Sequence, residues 1–178
     1  MSDKVNIVIP MAGAGSRFAN AGYKEPKPLI PIFNKTMIEV VVSNLTPKKE
    51  HRFIFVCQNE HIKEYGLKDK LSKLDKDVEI IGIDEITEWQ LCTVLKASDF
   101  INNEEALMTA NSDQYIDFDI NDYLEYMESK EYDGLIMTMT SKDEKWSYAK
   151  TDDNGIVIET AEKKVISNEA TVGIYNFK

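Results

Sequence analysis

Along the first 140 residues, short apolar runs alternate with segments of helical spacing. Val5–Ile9, Phe53–Cys57, Val78–Ile83, Ala106–Thr109 and Leu135–Thr140 read as strands. They are apolar at consecutive positions, as strands covered on both faces are. Between them, Met37–Leu45, Glu60–Leu74, Leu91–Phe100 and Ile120–Ser129 repeat apolar residues at helical intervals. This alternation predicts a three-layer α/β/α sandwich around a mostly parallel, mixed sheet, a Rossmann-like fold. Beyond residue 140 the segments shorten. Asp152-Asp153-Asn154-Gly155 predicts a turn joining Ser147–Lys150 to Ile156–Glu159.

In such sheets ligands bind beyond the carboxyl ends of the strands, where the chain places its most specific motif. The first strand opens into Met11-Ala12-Gly13-Ala14-Gly15-Ser16-Arg17-Phe18, followed by Pro26-Lys27-Pro28-Leu29. Glycines let the backbone turn sharply and bring N–H groups against an anion. Arg17 and Lys27 can close on the same phosphates. A Walker loop needs Lys-Ser/Thr where Ser16-Arg17 stand, and a dinucleotide fingerprint needs glycine at Phe18, so neither applies. The loop reads as a triphosphate site. A second candidate is Asn111-Ser112-Asp113, placed to project a carboxylate from a strand end. Its alternative is a turn aspartate capping the next segment.

Composition narrows the partners. The chain has 178 residues, 43% apolar, enough for one domain with a core. Its net charge of −10 argues against nucleic acid or an anionic membrane surface as partner. Residues 1–50 nevertheless hold seven Lys/Arg against four Asp/Glu, so the positive part coincides with the phosphate loop. Cys57 and Cys92 show no ligand spacing, and Cys57 reads as a small buried hydrophobe. His51 and His61 stand among polar residues and read as surface positions. No leader, lipidation motif or long apolar run is visible, which predicts a cytoplasmic protein.

The motif Gly-Ala-Gly-Ser-Arg-Phe, with Lys27-Pro28-Leu29-Ile30-Pro31-Ile32 and Asn34-Lys35-Thr36-Met37-Ile38, resembles the signature of the sugar-phosphate nucleotidylyltransferases, or nucleoside-diphosphate-sugar pyrophosphorylases. Ala110–Asp113, Glu162-Lys163 and Thr171–Tyr175 resemble later segments of that family. The resemblance implies the nucleotide-diphospho-sugar transferase fold over residues 1–178. It implies transfer of NMP from an NTP to a sugar phosphate or another small phosphorylated acceptor, with release of pyrophosphate, for surface-polysaccharide assembly. Carried over residue by residue, the nucleotide set is Met11, Ala12, Gly13, Ala14, Gly15, Ser16, Arg17, Lys27, Asp84 and Trp89. Arg17 and Lys27 are its catalytic members. The acceptor set is Asn111, Ala149, Glu162, Lys163 and Thr171. Asp113 would hold Mg²⁺, with Mn²⁺ as a substitute. A homo-oligomer is compatible with the resemblance.

Three departures stand out. The family has a second metal-binding aspartate after the Gly-x-Tyr strand, and this chain stops at Lys178, so a missing C-terminal part is expected. Trp89 stands where relatives have a glycine against the nucleobase; an indole there either covers the base pocket or packs elsewhere. Ala149 replaces a frequent sugar-contacting glycine. Glu162-Lys163-Lys164 also reads, on its own, as a solvated charge run. Two other functions compete: a glycosyltransferase of the related fold, which would not need Arg17 with Lys27, and a non-catalytic nucleotide-binding module, favoured by Trp89 and the missing ligand.

Overall fold

A computed structural model describes residues 4–130 and 132–178, with the side chains of Arg17 and Ala19 outside the description. The chain opens with β1 (Val5–Pro10), then α1 (Ser16–Asn20) and a 3₁₀ turn at Lys27–Leu29. A two-strand ribbon, β2 (Pro31–Ile32) and β3 (Lys35–Thr36), leads into α2 (Met37–Leu45). Next come β4 (His51–Gln58), α3 (Asn59–Tyr65), α4 (Leu67–Leu71) and β5 (Val78–Ile83). They are followed by α5 (Gln90–Val94), α6 (Ser98–Ile101), β6 (Ala106–Ala110) and α7 (Ile120–Lys130). The last four elements are β7 (Gly134–Thr140), β8 (Tyr148–Thr151), β9 (Val157–Ala161) and β10 (Glu169–Phe177).

The expected architecture is observed. Strands β5, β4, β1 and β6 run parallel, and β10 pairs antiparallel to β6. Val5, Ile7 and Ile9 of β1 point into one core with Ile38, Val41 and Leu45 of α2 and Leu124 of α7. Val8 points the other way, toward Ile54, Val56, Val94 and Ala97. Burial on both faces is why these strands read as unbroken apolar runs. The reciprocal cap of α2 explains its clean start: Thr36 N–H donates to Glu39 Oε2 at 2.6 Å, and Glu39 N–H returns a bond to Thr36 Oγ1.

Several boundaries differ from the sequence reading. The helix expected over Glu60–Leu74 breaks at Gly66, which takes the left-handed conformation at φ 60°. Gly lowers the cost of that conformation, so two short helices replace one. The Leu91–Phe100 helix is likewise divided, by a 3₁₀ turn at Leu95–Ala97. The Asp152–Gly155 turn is present: Asp152 N–H donates to Ile156 O at 2.9 Å, and β8 and β9 pair antiparallel across it. His51 is not a surface residue. It is buried beneath the edge of Phe53, with Nδ1 2.8 Å from Lys49 O and Nε2 3.1 Å from Asp75 Oδ2. A polar neighbourhood in sequence thus became a satisfied polar niche in space.

Candidate active site

A cleft of about 370 Å³ opens beyond the carboxyl ends of β1, β5 and β6. Its lining comes from four chain segments that form three walls. Met11, Gly13, Ala14, Gly15, Ser16 and Lys27 form one wall; Thr87, Glu88, Trp89, Gln90 and Thr93 form the second; Asn111, Ser112 and Asp113 complete it. The loop's shape is set at Gly15, which sits at φ +59° and accepts from Phe18 N–H at 2.9 Å as α1 begins. Met11 N–H still donates to Val56 O at 2.8 Å, so the loop leaves from a strand end that is firmly paired.

Lys27 and Asp113, 86 positions apart, meet in this cleft, with Lys27 Nζ 2.5 Å from Asp113 Oδ2. Both side chains keep solvent access, at 25% and 35% exposure, so either can turn toward an incoming ligand. Lys27 also lies over the Phe18 ring at 5.9 Å. Its position is fixed from behind, because the 3₁₀ turn it begins has Pro28 and Leu29 buried in the molecule. Among the described residues, no group of three or more His, Cys, Asp or Glu could cage a metal. Asp113 instead offers one hard carboxylate beside a phosphate-type loop. That donor set suits a cation which takes its other ligands from phosphate and water, as Mg²⁺ does.

The other expected residues divide clearly. Ala12 is buried, and its carbonyl accepts from Gln58 Nε2 at 2.9 Å. Asp84 accepts from Asn59 Nδ2 at 2.8 Å and is not among the cleft-lining residues. Ala149 is buried in β8 and its carbonyl accepts from Ser167 Oγ at 2.6 Å. Thr171 is buried, its hydroxyl accepting from Tyr175 O–H at 3.2 Å. Glu162 and Lys163 are exposed and pair with each other at 3.1 Å. These last four belong to the outer half of the sheet and do not line the cleft as it stands. The Arg17 side chain lies outside the described residues. Trp89 lines the cleft while remaining 60% exposed, so it is not a core residue.

Besides the lining residues Thr87, Glu88 and Thr93, the sequence reading missed two residues that meet Asn111. Gln90 donates from Nε2 to Asn111 Oδ1 at 2.7 Å, joining the second and third walls. Gly173, at φ +80°, lies against the Asn111 side chain. Gly173 sits inside the quoted Thr171–Tyr175 motif, but nothing in a linear pattern marks what a glycine faces.

Similarity to known proteins bears on the fold and the family. A nucleoside-diphosphate-sugar pyrophosphorylase from Vibrio cholerae RC9 superposes with a TM-score of 0.76 at 29% identity, covering 96% of this chain and 72% of that one. A putative glucose-1-phosphate thymidylyltransferase from Bacillus anthracis superposes at 0.79 with 20% identity, covering 97% and 71%. The Bifunctional protein GlmU of Methanocaldococcus jannaschii is 24% identical over 176 residues, covering 97% of this chain. The chain spans 40% of the length of that curated relative. The fold is therefore that of the nucleotide-diphospho-sugar transferases. The nucleotidyl transferase family matches over residues 6–178, and the chain belongs to it.

Proposed function

We propose that this chain carries out nucleotidyl transfer from an NTP to a small phosphorylated acceptor, a sugar phosphate, with release of pyrophosphate. The observation that carries the reading is the meeting of Lys27 and Asp113 beside the Gly13–Gly15 loop in one cleft. The similar Vibrio protein, named for nucleoside-diphosphate sugars, supports a sugar phosphate as acceptor. A role in surface-polysaccharide assembly and a cytoplasmic location, where nucleoside triphosphates are available, extend the same proposal. Among the described residues, no helix is long and apolar enough to cross a membrane.

An acceptor phosphate oxygen attacks the α-phosphorus in line. A P–O bond forms to the acceptor, and the bond to the β-phosphate oxygen breaks as pyrophosphate leaves. No covalent bond to the protein is required, so the residues position and neutralise. The N–H groups at Gly13, Ala14 and Gly15 would receive the triphosphate. Lys27 would leave Asp113 to bridge the reacting phosphates, and Arg17 would neutralise the departing pyrophosphate. Asp113 would hold a divalent cation, which supplies charge stabilisation at the α-phosphate when bound. Acceptor-dependent pyrophosphate release across a panel of NTPs and sugar phosphates is the test. Release with at least one pair, absent without acceptor, is expected; no release with any pair would overturn the reading.

A further inference from the structure

Asn111 is where three elements converge. Its backbone N–H donates to Gly173 O of β10 at 3.1 Å, and its side-chain Oδ1 accepts from Gln90 Nε2, the first residue of α5, at 2.7 Å. The third contact is steric. A Cβ placed on Gly173 would lie 1.9 Å from Asn111 Nδ2 and 2.6 Å from its Cγ. The amide therefore occupies the space that any side chain at position 173 would need. Gly173 lies within the register shift of β10 between Thr171 and Tyr175, and its φ of +80° is costly for an L residue.

We propose that Gly173 and Gln90 are positioning residues that fix the Asn111 amide, and with it the Asp113-bearing turn, at the cleft wall. The atoms meeting the absent Cβ are the outer end of a side chain. A methyl group at 173 would accordingly be absorbed by swinging the amide aside, not by breaking the sheet. Gln90 restrains the same amide from the opposite wall. Neither residue does chemistry; both act through Asn111. The glycine also lies at the junction of the sheet, since β10 pairs with β8 at Glu169–Ala170 and with β6 at Ile174–Phe177. The cleft wall and the outer half of the sheet are thereby held in register through one amide. The kinetic consequence rests on the transfer reading; the contact itself does not.

The experiment is a double-mutant cycle on the full chain, with melting midpoints and kinetics read together. Gly173→Ala should lower kcat by about tenfold to a hundredfold, the usual result of misplacing a group near reacting atoms. Nucleotide Kd by calorimetry should stay within roughly twofold, because the Gly13–Gly15 loop rests on β1 and does not depend on the displaced amide. Gln90→Ala, a change at an exposed position, should lower kcat in the same direction with little effect on melting. Gly66→Ala is the control for a methyl group at a positive φ: Gly66 sits at +60° with nothing within 4 Å of the new Cβ, and its substitution should keep kcat unchanged. Combining Gly173→Ala with Asn111→Ala removes the overlap, so the melting loss should be smaller than the sum of the single losses. Additive melting losses, or normal kcat in a folded Gly173→Ala protein, would overturn the proposal. If the unmodified chain transfers nothing with any substrate pair, the transfer reading fails, while the melting cycle still decides the contact.

Discussion

The two halves of the sheet are built by different rules. In the parallel half, β1 and β4 are covered by helices on both faces, and Ile7, Ile9, Phe53 and Phe55 have no solvent exposure. In the antiparallel half, β9 is exposed along most of its length, with Val157 and Ile158 at 40% and 59%. Helix α7 covers part of one face there, Tyr123 donating its hydroxyl to Leu135 O at 2.6 Å. The covered half carries the Gly13–Gly15 loop, Lys27 and Asp113; the open half carries Ala149, Glu162, Lys163 and Thr171. Burial on both faces holds the elements that carry Lys27 and Asp113, whereas an exposed strand such as β9 rests on few apolar contacts.

Substitutions can break this contrast. Phe53→Ala, which removes a ring stacked on Phe55 at 6.0 Å, should destabilise the fold by about 3–5 kcal/mol in urea titration. A loss below about 1 kcal/mol would mean that the parallel half is not the stability core. Lys27→Ala should leave stability nearly intact while lowering turnover by about a hundredfold or more, as loss of a preorganised charge does. Near-normal pyrophosphate release from the folded variant would remove Lys27 from the chemistry.

Acid sharpens the comparison further. Burial raises the pKa of Asp77, but the hydrogen bond from Lys4 Nζ at 2.8 Å and the Arg52 and Lys4 charges outweigh it and hold the carboxyl below its usual range. A folded value below the unfolded one means that the stabilisation is present above about pH 4 and fades as pH falls through the folded value. Asp77→Asn should therefore flatten the loss of melting temperature below about pH 4, an effect smaller than the two above. An unchanged acid slope would show that the tie of Asp77, just ahead of β5, to Lys4 and Arg52 contributes nothing. The smallest effect is expected in the open half: Ile158→Ser should shift stability by no more than about 0.5 kcal/mol. A larger loss would mean that β9 is covered in solution.

The same contrast explains what the sequence disclosed. Doubly covered strands announce themselves as continuous apolar runs, so the parallel sheet and its loop were legible from residues 5–9 and 53–57 onward. That the Gly13–Gly15 loop and Lys27 share a cleft wall was legible because their residue types and spacing are local. His51 was misread because its partner Asp75 lies 24 positions away and the niche that buries it is tertiary. The contact of Gly173 with Asn111 was hidden for the same reason. The breaks at Gly66 and at Leu95–Ala97 were hidden differently, since helical periodicity survives a short change of helix direction.

The two cysteines turn this architecture into a practical handle. Burial pushes the Cys57 thiol up to about 12, so in the folded protein it stays protonated and shielded at neutral pH. Cys92 is exposed on α5, two residues beyond Gln90. A maleimide dye should consequently attach once per native chain, on α5, and twice only when the sheet comes apart. One reagent would then place a reporter dye on the helix that supplies Gln90 and Thr93 to the cleft, without mutagenesis, and count how many molecules have unfolded.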